Sequence, residues 1–182
     1  NIFVGRTLAF GLNESAASVL YLANRFVELP LGVFSAAITT VILPGLSLMI
    51  ANKRWDEVNS FYREGLTLMI TLLLPAAIGL YVLGEPLLNL FFAWGHFSQE
   101  DLNLTLPVLK VFALALPFYG ISALMVRSFH AQQNTRTPVQ IAFWTLISHF
   151  LLACVLMHFL KTVGLALAST LATLLQTWLL HK

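Results

Sequence analysis

Five stretches of this chain contain no Asp, Glu, Lys or Arg, and most of them reach or approach the length of a membrane crossing: 29–52, 65–84, 111–126, 137–160 and 162–181. A helix of about 20 apolar residues spans the hydrocarbon core of a bilayer, where every backbone N–H and C=O must bond within the protein. A water-soluble domain is about one-quarter charged. Here 58% of the 182 residues are hydrophobic and 10% are charged. The pattern implies a polytopic, all-α transmembrane helix bundle.

Adding the apolar start gives six helices, at 1–12, 15–51, 61–84, 102–128, 137–160 and 162–181, as one unit over 1–182. The absence of an initiating Met or a signal-type opening, and an end on an apolar segment, suggest a piece of a longer polytopic chain. The helix at 15–51 is too long for one straight crossing and carries Pro30, Gly32, Pro44 and Gly45, so a kink or break is expected there. Broken helices at membrane depth line cavities in transporters, although a bent helix is the commoner outcome.

Loop charges set the orientation. Counting alternate connections, Lys53, Arg54, Arg63, Arg127, Arg136 and Lys182 fall on one side and Lys161 on the other, which makes the first side cytoplasmic. The aromatic segment 85–101 is short for a crossing and reads as an interfacial elbow on the outer face.

Several function classes drop out. A formal charge of +2 with scattered basic residues offers no nucleic-acid surface. Cys154 is the single cysteine, and the five histidines (96, 130, 149, 158 and 181) lack ligand spacing, so no metal site or cofactor is expected. No nucleophile elbow, phosphate-binding glycine loop or carboxylate pair is present, and the chain is not read as an enzyme.

The sharpest chemical feature is Arg25 with Glu28, three residues apart and so on one helix face. In a helix starting near residue 15, Arg25 lies about 15 Å deep, close to mid-bilayer. An arginine there costs about 2.5–3.5 kcal/mol to insert and normally faces a bundle interior or wet cavity. The plain alternative is a self-neutralising ion pair, but apolar residues would stabilise a bundle as well. A guanidinium is permanently charged and suits bidentate binding of phosphate or carboxylate, so the implied ligand is anionic. Arg6 suits either snorkelling or a second cavity charge, whereas Lys110 is expected to snorkel to the interface. Thr145, Ser148, His149, Thr170 and Thr173 offer ligands for a coupling ion, although such residues more often bond helix to helix.

Three motifs carry a family resemblance: Asn24-Arg25-Phe-Val-Glu28-Leu-Pro30-Leu-Gly32, continuing to Pro44; Leu90-Phe-Phe-Ala-Trp-Gly-His-Phe-Ser98; and Phe129-His-Ala-Gln-Gln-Asn134-Thr135-Arg136-Thr137-Pro138. Together they resemble the MurJ (MviN) lipid II flippases of the multidrug/oligosaccharidyl-lipid/polysaccharide exporter superfamily. The resemblance implies a MATE-like transporter of fourteen helices in two lobes, of which this chain is most of the C-terminal lobe, about helices 7 to 12. It implies flipping of the undecaprenyl-pyrophosphate-linked peptidoglycan precursor, lipid II, across the bacterial cytoplasmic membrane. Membrane lipids, and cell-wall synthesis proteins alongside them, would be its partners.

The family's cavity arginine and glutamate fall on Arg25 and Glu28, with Asn24 beside them as a further substrate contact. Pro30, Gly32 and Pro44 become helix breaks near the cavity, and the 134–138 motif becomes a cytoplasmic loop. Two departures stand out: Asn24 replaces a commonly acidic residue, and helix 137–160 lacks the Asn/Asp pattern of a sodium site, so sodium coupling is not implied. The rival readings are a sibling exporter of polysaccharide-lipid precursors or drugs, a polyprenyl-phosphate enzyme, and a noncatalytic scaffold of cell-wall synthesis.

Overall fold

A computed structural model describes residues 14–92 and 98–181 as four long helices. They are α1 (Glu14–Ala51), α2 (Trp55–Phe92), α3 (Gln99–Ala131) and α4 (Arg136–His181). All four are long and apolar enough to cross a membrane. The expected helix at 1–12 with Arg6, residues 93–97 of the aromatic motif, and Lys182 lie outside the described residues.

Helix α3 is the centre of the bundle and packs against the other three, whereas α1 barely meets α4 and α2 does not meet α4. Of its most apolar stretch 61% is buried inside the protein, against 17–28% for the other helices, whose outward apolar faces suit lipid. Helix α2 lays one stripe on α3, with Gly65, Met69, Leu73, Ala77, Leu80, Gly84 and Leu88 buried at intervals of three or four. Small residues in that stripe allow close approach: a Cβ at Gly84 would stand 3.2 Å from Leu109 Cδ2.

The turns are capped from the sequence. Lys53 (φ 55°) and Gln133 (φ 58°) take the left-handed position after α1 and α3. Arg54 N–H then bonds Met49 O at 3.0 Å, and Asn134 N–H bonds Phe129 O at 3.0 Å, the six-to-one bonds of Schellman ends. Asn134 next caps α4, its Oδ1 accepting from Thr137 N–H at 3.2 Å and its Nδ2 donating to Thr137 Oγ1 at 3.0 Å. Pro138 follows in the first turn, where its missing N–H costs nothing.

Two expectations are corrected. Helix α1 runs unbroken through Pro30, Gly32 and Pro44, with helical backbone throughout. Its buried residues (Ala23, Phe26 and Val27, then Ile38, Ile42 and Leu46) hold it on the bundle across both lost hydrogen bonds. The elbow at 85–101 shrinks, because α2 continues through Pro86 to bury Leu88 fully and α3 begins at Gln99 behind a Ser98–Asp101 capping box.

Arg127 lies within α3, as the expected helix 102–128 already had it. It is half-buried, and its Nη1 donates to Thr39 Oγ1 and, at 3.4 Å, to the Ser35 carbonyl of α1. Arg127→Met in the full-length protein keeps the stem but removes this clamp. It should lower stability by about 1–2 kcal/mol, read as an earlier thermal unfolding transition in detergent; an unchanged transition would leave α1 and α3 held by apolar packing alone.

Helix α4 is two limbs. Lys161, the one charge between two apolar runs, has φ 49° and ψ −124°, and the chain reverses there. Gly164 consequently lies against the backbone of Leu156, eight residues earlier, a contact that no straight helix makes.

A cavity between α1 and α4

Since α1 and α4 diverge over α3, a cavity of about 550 Å³ opens between them. That volume falls within the usual range of ligand pockets. Leu20, Tyr21, Asn24, Arg25, Val27, Glu28 and Leu31 form the α1 wall, Phe112 and Tyr119 the α3 floor, and His149, Leu165, Ser169 and Thr173 the α4 wall. Both limbs of α4 contribute, which the reversal at Lys161 makes possible.

On the α1 wall the polar side chains at 21, 24, 25 and 28 share one helical face. Arg25 Nε and Nη2 donate to the Tyr21 hydroxyl oxygen at 3.0 and 2.8 Å, and Nη1 donates to Glu28 Oε2 at 3.0 Å. The guanidinium carbon also stands 4.9 Å from the Tyr21 ring centroid, within cation–π range. Asn24 Nδ2 donates to the other Glu28 oxygen at 2.7 Å, so Glu28 is fixed from two sides.

This arrangement positions Arg25 without consuming it. A guanidinium has five N–H donors. Among the described residues, the bonds to Tyr21 and Glu28 use one on each nitrogen, which leaves one N–H on each terminal nitrogen for a ligand. Side-chain exposures of 60% for Arg25 and 39% for Glu28 mean that the pair is not sealed against itself. A fixed, permanently charged guanidinium plane with N–H groups to give suits the oxygens of a phosphate.

The structure thus brings Asn24, Arg25 and Glu28 together in one cavity, and His149 and Thr173 join them across it. Thr145, Ser148 and Thr170 do not line it; Thr145 and Thr170 donate to carbonyls of their own helix. Pro30, Gly32 and Pro44 do not line it either, nor does the motif from Asn134 through Thr135, Arg136 and Thr137 to Pro138, which forms the capped α3–α4 turn. Lys110 stands 5.5 Å from the Tyr81 ring centroid on α2, away from the cavity.

Three polar contributors escaped sequence reasoning: Tyr21, Tyr119 and Ser169, the last of them four residues before Thr173 on the same helix. Tyr21 precedes Arg25 by four residues, a spacing that already places it on the same face. Tyr119 carries no such local signal, because its place in the floor depends on how α1 and α4 straddle α3.

Known proteins share this architecture. A family model described as Lipid II flippase MurJ matches residues 1–182. The probable lipid II flippase MurJ of Haemophilus influenzae is 32% identical over 188 residues, covering 100% of this chain and 37% of that protein. The corresponding protein of Bdellovibrio bacteriovorus is 31% identical, covering 94% of this chain and 33% of its own length. The lipid II flippase MurJ of Thermosipho africanus is 33% identical, covering 84% and 31%. A solved structure of lipid II flippase MurJ in an inward closed conformation superposes with a TM-score of 0.81 at 32% identity, over 91% of this chain and 35% of that one. The chain therefore spans about a third of the length of these relatives. With its whole length matched and its helices superposing on a multi-pass membrane transporter, this chain belongs to the lipid II flippase MurJ family.

Proposed function

We propose that the protein containing this chain moves lipid II across the bacterial cytoplasmic membrane by alternating access, with Arg25 binding the pyrophosphate. The observation that carries this reading is the guanidinium fixed by Tyr21 and Glu28 with two N–H groups left toward a 550 Å³ cavity. Apolar side chains (Leu20, Val27, Leu31, Phe112 and Leu165) line the rest of the cavity beside this charge. Glu28 offsets that charge when no cargo is bound and keeps the plane oriented when it is.

No covalent step is required. The cavity must be exposed first to one side and then to the other, with the cargo biasing the equilibrium between the two states through its different contacts in each. The lipid tail stays in the bilayer while the headgroup passes through the polar centre.

The test is rescue of cells depleted of their own lipid II flippase by the full-length protein. Rescue by wild type supports the reading. Correct membrane insertion without rescue would assign the cavity to another anionic lipid carrier, such as a polysaccharide-linked one.

A further inference from the structure

The α4 wall of the cavity differs in kind from the α1 wall. His149 is 1% exposed, yet neither ring nitrogen has a hydrogen-bond partner among the described residues. Buried polar atoms are nearly always satisfied, so an orphaned imidazole on a cavity wall points to a ligand. No described carboxylate other than Glu28 lines this cavity, and Glu28 is already bonded to Arg25 and Asn24. A neutral imidazole presents one donor and one acceptor.

The hydroxyls beside it have spent their protons. Ser169 Oγ donates to Ala166 O at 2.8 Å and Thr173 Oγ1 to Ser169 O at 2.9 Å, which leaves oxygen lone pairs for the cavity. The Tyr119 hydroxyl meets these same side chains from α3. With the imidazole neutral, the wall is uncharged, mostly accepting, and has one N–H to give.

We infer that His149, Ser169 and Thr173 form a subsite for an uncharged group carrying both donors and acceptors, a sugar hydroxyl or acylated amine adjoining the pyrophosphate of the cargo. The inference rests on the proposed function and divides the cavity between two tasks. Arg25 on α1 holds the charge that every polyprenyl pyrophosphate shares, and His149 on the opposite wall reads what is attached to it.

Binding of two ligands by the full-length protein in detergent separates these roles: undecaprenyl pyrophosphate without a sugar, and lipid II. His149→Leu should weaken lipid II binding about tenfold while leaving the bare pyrophosphate within about twofold of wild type. His149→Gln, which keeps a donor and an acceptor, should hold lipid II within about threefold. His149→Leu should also unfold at no lower temperature than wild type, since it breaks no hydrogen bond within the described residues. Equal weakening of both ligands, or of neither, would overturn the subsite and leave His149 a packing residue. If wild type binds neither ligand, the proposed function itself fails and the subsite falls with it.

Discussion

Arg25→Ala in the full-length protein should abolish rescue of flippase-depleted cells at membrane levels matched to wild type, and Arg25→Lys should not restore it. The alanine variant removes the fixed positive charge lining the cavity, and with it the two N–H groups left after Tyr21 and Glu28 are satisfied. Lysine keeps the charge but gives a point ammonium on a flexible stem, with no plane to rest on the Tyr21 ring and no paired donors. Affinity for undecaprenyl pyrophosphate should fall about 10- to 100-fold with alanine and about tenfold with lysine. Since the pair is exposed to the cavity, neither change should lower the unfolding temperature by more than a surface ion pair would. Full rescue by Arg25→Ala would reduce Arg25 and Glu28 to a self-neutralising structural pair.

The α1 wall was legible in the sequence because helical periodicity is local. Arg25 and Glu28 sit three apart in an otherwise uncharged environment, and their insertion cost alone marks them. The boundary at 161 is visible for a related reason: a lone lysine separates two apolar runs, and the backbone reverses at that residue. The capping box Ser98–Asp101 was equally local, but the aromatic character of 85–97 drew the segment toward an interfacial reading.

The rest depended on tertiary contacts. Burial of Leu88 on α3 carries α2 past Pro86, and burial of Ile38 and Ile42 carries α1 between Pro30 and Pro44; both outweigh the local preference for a break. The α4 wall was the least legible. Thr173 and His149 face Arg25 because α4 doubles back and α1 stands away from it; the boundary at Lys161 marks the first, but the second has no signature in the spacing of those residues.

The reversal in α4 carries the second large expected effect: Gly164→Ala should destabilise the protein by about 3 kcal/mol or more, seen as loss of folded material in the membrane and an early thermal transition. A Cβ at Gly164 would strike the Leu156 carbonyl oxygen, with Leu156 C at 2.5 Å and Met157 N at 3.1 Å. All three are backbone atoms in the last turn of the first limb, so no flexible side chain can swing aside. The limbs would have to separate, and the separation would reach the cavity, because His149 belongs to the first limb and Leu165, Ser169 and Thr173 to the second. Lipid II binding per folded molecule should therefore fall as well, which simple loss of abundance does not produce. Gly79→Ala is the control: a Cβ there meets nothing within 4 Å, and alanine in mid-helix should be neutral or stabilising by up to about 1 kcal/mol. Equal stability of the two variants would mean that α4 does not close on itself at Lys161 in the membrane, and the cavity would lose the wall that His149 and Thr173 provide.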